Sequence, residues 1–294
     1  MTVSSFIPIL LILSALGITY VVLHFYKQSQ KGRRNPLTRD LLRSPGESLR
    51  TQSDDLTFDI VYYLILIIFV PFMMYSVYLS QKLSGLKPSS LLLLVFGLVA
   101  VLFYINKLWR VLKVRAHLRL GLDCERAVGQ ELNQLMLNGC RVFHDFPADK
   151  FNIDHVVVSP NGVFAVETKG RAKPDKSGGS AEATVVYDGQ TLNFPDWSEK
   201  EPLDQAKRQA VWLSKWLSSA VGEQISVQPV LALPGWFIDR QKPSPDLIIF
   251  SGKNPDILLK WVTRTLLSEK LMQRVAHQLE QRCRDVEPAA YKKQ

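Results

Sequence analysis

Three long apolar runs dominate the first part of the chain: Phe6–Tyr26, Asp59–Leu79 and Ser90–Trp109. Each is long enough to cross a hydrocarbon core as a helix, and the first lacks the basic start and small-residue cleavage site of a signal peptide. A buried helix of a soluble domain is the alternative for the third run, but its apolar neighbour favours a helical hairpin across a bilayer. The pattern predicts three transmembrane helices, over about 6–26, 59–79 and 90–109.

After residue 120 the hydrophobic period alternates between that of helices and that of strands. Helical spacing is found over Leu118–Asn138 and Leu203–Ala220, and residues 151–169 form an apolar β-hairpin that turns at Ser159-Pro160-Asn161-Gly162. This order predicts an α/β domain with a mixed sheet flanked by helices. Further predictions are strands at 141–146, 227–233 and 247–250, a surface insertion with a small hairpin at 170–202, and helices at 255–267 and 269–284.

These patterns divide the chain into three regions. Residues 1–120 form the membrane region, residues 121–238 form the α/β domain, and residues 239–294 add a C-terminal strand and helices that pack on it. Three membrane spans also leave self-association open, and nothing in the sequence decides it.

Lysine and arginine are distributed unevenly between the predicted loops. Seven lie within residues 27–50 and five within residues 107–119, whereas the loop between the second and third runs holds two. By the positive-inside rule, we expect a multi-pass protein of the plasma (inner) membrane, with its N-terminus outside and its C-terminal domain in the cytoplasm.

The net charge of +9 lies entirely before residue 121. Residues 1–120 contain 14 Lys and Arg against 5 Asp and Glu, whereas residues 121–294 contain 22 of each. The α/β domain is therefore not of the class that binds nucleic acid through overall basic charge. Cys124, Cys140 and Cys283 form no CxxC pair, which favours a reducing compartment without a disulfide framework or structural zinc.

Three charges interrupt the apolar hairpin: Asp154, Glu167 and Lys169. If Ser159 faces Gly162 across the turn, counting back places Asp154 opposite Glu167, with Lys169 on the same face. Two facing carboxylates repel and lose hydration unless a cation lies between them, which is the arrangement of a divalent-metal site. A cross-strand ion pair near the end of the sheet is the alternative.

Two predicted helices offer partners to this hairpin. Glu125 and Glu131 lie on opposite edges of the apolar face of the first helix, so either side chain could reach the carboxylates. Gln205 and Gln209 lie one turn apart on the later helix. For each of these side chains, exposure on a solvated helix flank is the competing interpretation.

A set of short motifs together resembles the nuclease-related domain (NERD), a family regarded as a branch of the PD-(D/E)XK nuclease superfamily. The similarity covers about residues 118–235 and implies a restriction-endonuclease-like mixed sheet. One departure is Cys124, where the family usually has Gly before the helical Glu. The matching motifs are Ile153-Asp154-His155, Asn161-Gly162-Val163-Phe164, Glu167-Thr168-Lys169, an upstream Glu125 and Pro202-Leu203-Asp204-Gln205.

The resemblance implies a metal site in the hairpin. Asp154 and Glu167 would be the metal ligands, with the backbone carbonyl of Thr168 as a third oxygen. Lys169 would orient the attacking water or stabilise charge on the phosphate. The expected cofactor is Mg²⁺ or Mn²⁺, since Mg²⁺ binds through a few carboxylates and keeps several waters.

The resemblance also assigns roles outside the hairpin. Glu125 would help to bind metal or water, Gln205 would position the site, and His155, on the opposite face from Asp154, is expected to be structural. The implied function is a membrane-anchored nuclease that hydrolyses phosphodiester bonds of DNA or RNA at the cytoplasmic face. The alternative is a non-catalytic nucleic-acid-binding or scaffold module on a nuclease fold.

Overall fold

The chain folds into two compact units. The computed structural model describes residues 7–85, 87, 89–174, 183–242, 246–261 and 266–288, with side chains described from residue 13 onward. One unit comprises residues 1–40, 58–112 and 287–294, and the other comprises residues 41–57 and 113–286. The second unit thus contains a segment, Leu41–Thr57, that the sequence pattern assigns to the membrane region.

The first unit is built from long apolar helices. They are α1 (Ile7–Ser29), α2 (Glu47–Leu83) and α3 (Ser90–Gln134). Many of their described apolar side chains are exposed, and soluble proteins rarely expose contiguous apolar surface of this extent. By length and composition, α2 and α3 could each cross a membrane, so the described residues contain two candidate spans rather than the three predicted. The first predicted span coincides with α1, which is helical but is not among these two.

Helix α3 is longer than the pattern predicts. It runs through 45 residues and joins the predicted third span to the predicted helix over 118–138. The residues between the two predicted segments include no proline, and charged residues are compatible with a solvated helix. A 3-10 turn at Leu135–Asn138 and Gly139, with a φ of 80°, end the helical stretch.

A five-stranded mixed sheet forms the centre of the second unit. Strands β1 (Arg141–Pro147), β2 (Asn152–Ser159) and β3 (Gly162–Thr168) are antiparallel neighbours. Two further strands, β7 (Val227–Ala232) and β9 (Ile248–Phe250), continue the sheet in parallel with β3, in the order β1-β2-β3-β7-β9. The α/β class predicted from the sequence is confirmed.

The small hairpin expected within the insertion over 170–202 is present and forms part of a second sheet. Strands β4 (Thr184–Tyr187), β5 (Leu192–Asn193) and β6 (Ser198–Glu199) pair with β8 (Phe237–Arg240) in the order β6-β5-β4-β8. Because β8 follows β7 in the chain, the insertion is joined to the main domain. Its Phe194 packs with Trp236 in a core that also contains Leu231 of β7 and Ile249 of β9.

Helices cover both faces of the main sheet. On one face, α4 (Glu201–Val221) and α6 (Glu269–Cys283) bury Leu213 and Val275 against β1–β3. On the other, Val128 and Leu132 of α3 pack with the short helix α5 (Asp256–Lys260). The predicted helix over 255–267 is thus helical only at 256–260, although residues 262–265 lie outside the described chain.

Candidate active site

The β2–β3 hairpin brings the three predicted charges to one end of the main sheet. Its backbone pairs Ser159 with Gly162, as the turn residues predict, and the same register sets Asp154 level with Glu167. Lys169 follows directly after β3, where its amide donates a hydrogen bond to the carbonyl of Ala232 at 2.9 Å. The charges therefore lie at the carboxyl ends of β3 and β7, the edge of parallel strands where ligands commonly bind.

Glu167 is held by two donors. The Lys169 Nζ atom lies 2.6 Å from its Oε1, and the Gln209 Nε2 atom donates to its Oε2 at 2.6 Å. Only 2% of the Glu167 side chain is exposed, so one carboxylate charge is buried against one ammonium. Short charge-assisted bonds of this kind fix the orientation of the carboxylate.

Asp154 is half-buried beside the more deeply buried Glu167. Its Oδ2 accepts a hydrogen bond from the backbone amide of Thr168 at 2.6 Å. Burial raises the pKa of Asp154 well above its ordinary value, and the neighbouring charges of Glu167 and Glu125 raise this pKa further. The bond from Thr168 and the charge of Lys169 act in the opposite direction without reversing it.

Helix α3 adds Glu125 to these carboxylates. Its side chain is buried, and burial together with the charges of Asp145 and Glu167 raises the pKa of Glu125 to about 8. Glu131, the other candidate on this helix, is half-buried and accepts a hydrogen bond from Gln134 at 2.9 Å. Of the two, Glu125 is thus the one that the structure brings to the hairpin.

The turn of α3 that carries Glu125 packs closely on the end of the hairpin. A Cβ atom at Gly170 would lie 2.9 Å from the Sγ atom of Cys124 and 3.3 Å from the carbonyl oxygen of Leu120. The chain therefore accommodates a thiol before the helical Glu because the opposing position has no side chain.

The glutamine on Glu167 is Gln209, and Gln205 lies one turn earlier on α4. Gln209 is buried and also donates to the carbonyl of Asn152 at 3.3 Å, whereas Gln205 is half-buried. Position 209 falls between Ala206 and Leu213 on the buried face of the helix, where an amide is rare unless it has a partner. That placement was the signal in the sequence that favoured Gln209.

His155 belongs to a separate cluster. Its Nδ1 atom lies 2.9 Å from Nδ1 of His144, whose Nε2 lies 3.0 Å from Oδ1 of Asn133 on α3. Burial lowers the pKa of both imidazoles, that of His144 to about 4. Two neutral rings that share a proton between β1 and β2 have the structural role predicted for His155.

The oxygen atoms around Asp154 and Glu167 fit a divalent cation. Among the described residues, no three His, Cys, Asp or Glu side chains converge tightly enough to hold a metal by themselves. One buried and one half-buried carboxylate with a backbone carbonyl would still suffice for Mg²⁺, which keeps several waters. Beside them, Thr168 Oγ1 and Gln209 Oε1 are buried without a hydrogen-bond partner, so polar capacity is left over for water or an ion.

The domain combines a mixed sheet and flanking helices with a cluster of carboxylates and a lysine at the ends of its strands, which are the features of a nuclease-like fold. Residues 120–234 match the family model described as Nuclease-related domain, NERD. This segment is therefore similar to the nuclease-related domain, and the resemblance inferred from its motifs is confirmed.

Other comparisons add little. Among solved structures, the chain is similar to Pyrococcus furiosus SfsA in complex with Ca²⁺, with 17% identity over 54% of this chain and 53% of that one. The chain thus spans about half the length of SfsA, and the TM-score of 0.20 is too low to carry an argument. No curated protein matches the chain.

Proposed function

We propose that this protein is a membrane-anchored, metal-dependent nuclease that hydrolyses phosphodiester bonds of DNA or RNA at the cytoplasmic face. The observation that carries the proposal is the pair of the half-buried Asp154 and the buried Glu167, with Lys169 Nζ 2.6 Å from Glu167. Such a group is costly to bury, and a nuclease-related domain gives it a use.

Each member of the group has a distinct task in this proposal. Asp154, Glu167 and the Thr168 carbonyl would hold Mg²⁺ or Mn²⁺, which when bound polarises a phosphoryl oxygen and makes water more acidic. Lys169 carries a fixed positive charge beside Glu167, where it can orient a water or stabilise negative charge on the phosphate. Gln209 fixes the direction of Glu167 through its 2.6 Å bond.

Glu125 supplies a proton-holding group at the edge of the site. With a pKa of about 8, its carboxyl keeps a proton at neutral pH in the metal-free protein. The neutral carboxyl can donate a hydrogen bond to another oxygen instead of repelling the two carboxylates. A bound cation would favour its ionised form.

The test is cleavage by the full-length protein in detergent. With Mg²⁺ or Mn²⁺, we expect cleavage of DNA or RNA, and a loss of about 100-fold or more in Asp154→Ala and in Lys169→Ala. Glu201→Gln, which breaks an exposed ion pair with Arg208 on α4, is the control and should leave cleavage unchanged. Equal cleavage by wild type and both site variants would refute the proposal.

A non-catalytic scaffold is the second candidate. It is favoured by the balance of 22 basic and 22 acidic residues after residue 120, because a protein that engages many phosphates commonly displays excess positive charge. Calorimetry separates the candidates, since a scaffold has no need to bind metal. Absence of Mg²⁺ and Mn²⁺ binding at millimolar concentration would favour the scaffold.

Membrane anchoring rests on α2 and α3, and its orientation rests on the loop charges. Alkaline phosphatase, which is active only outside the cytoplasm, can be fused after Leu83 at the end of α2 or after Gln294. We expect activity from the first fusion and none from the second. An active enzyme after Gln294 would overturn the cytoplasmic placement.

A further inference from the structure

The segment Leu41–Thr57, which we call the strap, precedes α3 in the chain but belongs to the same compact unit as the nuclease-related domain. Its first residue pairs with Val286 after α6, through Leu41 N to Val286 O at 2.9 Å and Val286 N to Leu41 O at 3.2 Å. The strap is therefore bound to the end of the domain by backbone hydrogen bonds, although most of α2 separates it from α3.

Arg43 is the strap's main side-chain anchor. Its Nη1 atom donates to Oδ2 of Asp145 at 2.8 Å, while its Nε and Nη2 donate to the two carboxylate oxygens of Asp285 at 2.7 and 2.8 Å. One guanidinium thus joins β1 to the segment after α6. A planar fork of donors suits this double role better than an ammonium would.

Asp145, whose carboxylate Arg43 contacts, is unusual both in its backbone conformation and in its burial. Asp145 has a φ of 48°, the only positive value among the described non-glycine residues, and is 3% exposed. Its Oδ2 also accepts from the amide and hydroxyl of Ser48, at 3.0 and 2.5 Å. A residue in this conformation persists only when its surroundings hold it there.

Asp145 of β1 lies directly across from Asp154 of β2, one of the proposed metal ligands. The pairing of β1 with β2 joins His144 to His155 and Phe146 to Ile153, so the intervening Asp145 is level with Asp154. The strap thus fixes the backbone of β1 at the point opposite a carboxylate of the proposed site.

A chain of hydrogen bonds continues from Asp145 to the other carboxylate. Asn152 Nδ2 donates to Oδ1 of Asp145 at 3.2 Å and also to the hydroxyl of Ser48. The Asn152 carbonyl accepts from Gln209 Nε2, which also donates to Glu167. Each link is a buried or half-buried polar contact, so displacing one removes a hydrogen-bond partner from its neighbour.

The strap also packs on the turn of α3 that carries Glu125. A Cβ atom at Gly46 would lie 3.5 Å from the Glu125 Oε2 atom, and one at Gly129 would lie 2.7 Å from Cγ of Pro45. Two glycines, one on each partner, thus allow the strap and α3 to approach closely. The strap therefore touches the surroundings of all three carboxylates.

We propose that the strap is a positioning element of the carboxylate site, with Arg43 and Ser48 acting through Asp145 on Asp154 and Glu167. The catalytic part of this statement rests on the proposed nuclease function, whereas the part about site geometry does not. The functional domain then includes the strap, which lies outside the segment that matches the family.

The first test measures geometry without activity, by amide hydrogen exchange of the full-length protein in detergent. Arg43→Gln should speed exchange about 10-fold both at β1 residues 144–146 and at residues 167–169 beyond the hydrogen-bond chain. Ser48→Ala, a milder change, should act in the same direction. Arg208→Gln, which removes an exposed ion pair from α4, is the matched control and should change neither segment.

The second test measures cleavage by the same variants. Arg43→Gln should lower kcat about 10-fold and change KM by less than about 2-fold, as expected for a group that orients catalytic residues. In a Gln209→Ala background, the same substitution should lower kcat by less than about 2-fold, because the chain to Glu167 is already cut. The decreases in melting temperature caused by Arg43→Gln and by Gln209→Ala should instead be additive in the double variant.

The outcomes separate the two proposals. If wild type cleaves no nucleic acid, the nuclease proposal fails and the exchange measurement alone decides the role of the strap. Faster exchange confined to β1, or an unchanged kcat in Arg43→Gln, would overturn the inference. The contacts of Arg43 would then only attach the strap to the domain, without positioning the carboxylates.

Discussion

Replacing Glu125 by Gln should stabilise the metal-free domain while harming its site. The substitution keeps the size of the side chain and removes a buried carboxyl group whose ionisation is opposed by burial and by the neighbouring charges. Buried carboxylates that serve a function are retained at the expense of stability. Removing one therefore tests whether repulsion among Glu125, Asp154 and Glu167 lowers the stability of the folded domain.

The direction of the pH effect follows from the raised pKa. Below pH 4.5 the carboxyl is protonated in the folded and the unfolded chain alike, so it contributes no pH dependence. Above this value the unfolded chain ionises, whereas the folded domain retains the proton until about pH 8. Stability is therefore lost as pH rises from 4.5 to about 8, because the unfolded state releases its proton first.

The size of the effect on the free energy of unfolding follows from the same rise in the pKa of Glu125. A pKa that rises from 4.5 to about 8 corresponds to an upper limit of about 5 kcal/mol, at about 1.4 kcal/mol per pH unit. A buried Gln amide also needs hydrogen bonds, so we expect a net gain of about 2–3 kcal/mol at pH 8, or about 5–10 °C in melting temperature.

The assay is thermal unfolding of the full-length protein in detergent, without divalent metal, at pH 5 and pH 8. Glu125→Gln should exceed wild type at pH 8 and approach it at pH 5, while Glu131→Gln, the same change on the same helix, should follow wild type. Added Mn²⁺ should stabilise wild type more than Glu125→Gln. If Glu125→Gln and wild type differ by the same amount at both pH values, the assignment of the raised pKa to Glu125 is wrong.

Three further predictions concern the surroundings of the site. Gln209→Ala should lower the cleavage rate about 10- to 100-fold, whereas Gln205→Ala should lower it by less than about 3-fold. A larger loss in Gln205→Ala than in Gln209→Ala would contradict the placement of Gln209, and not Gln205, on Glu167. Gly170→Ala should lower the free energy of unfolding by about 1–3 kcal/mol in denaturant titrations, with recovery when Cys124→Gly is added, since the clash is with the Cys124 thiol. Burial lowers the pKa of His144 to about 4, so its contribution to stability is complete above pH 6.5 and is lost as pH falls toward 4. Melting at pH 4.5 and 7 should show this slope in wild type and a smaller one in His144→Gln.

The hairpin could be predicted closely because its physics is local. The turn at Pro160-Asn161 sets the register, and a slip by one residue would move the apolar side chains of both strands to the wrong face. The positions of Asp154, Glu167 and Lys169 follow from that register alone. Glu125 followed from the helical period of the segment that precedes the hairpin.

Other features depend on partners that lie far away in the chain. The second sheet forms only when β8 returns beside β4, some fifty residues after it, and no local pattern marked Phe237–Arg240 as a strand. The strap shows no periodicity that points to Asp145, 97 residues beyond Ser48. The face of α4 that carries Gln209 follows from the helical period, but the bond from Gln209 to Glu167 depends on how α4 packs on β3.

The strap also constrains how the chain can cross a membrane. It ends at Thr57, and the rest of its compact unit resumes at Lys113, so both ends of the α2–α3 hairpin must emerge on one side of any bilayer that the hairpin spans. This follows from the fold and does not depend on the loop charges, yet it agrees with the orientation that those charges predict. Arg43 is committed to Asp145 and Asp285, so it belongs to the fold of the domain and is not one of the free loop charges from which the orientation is predicted.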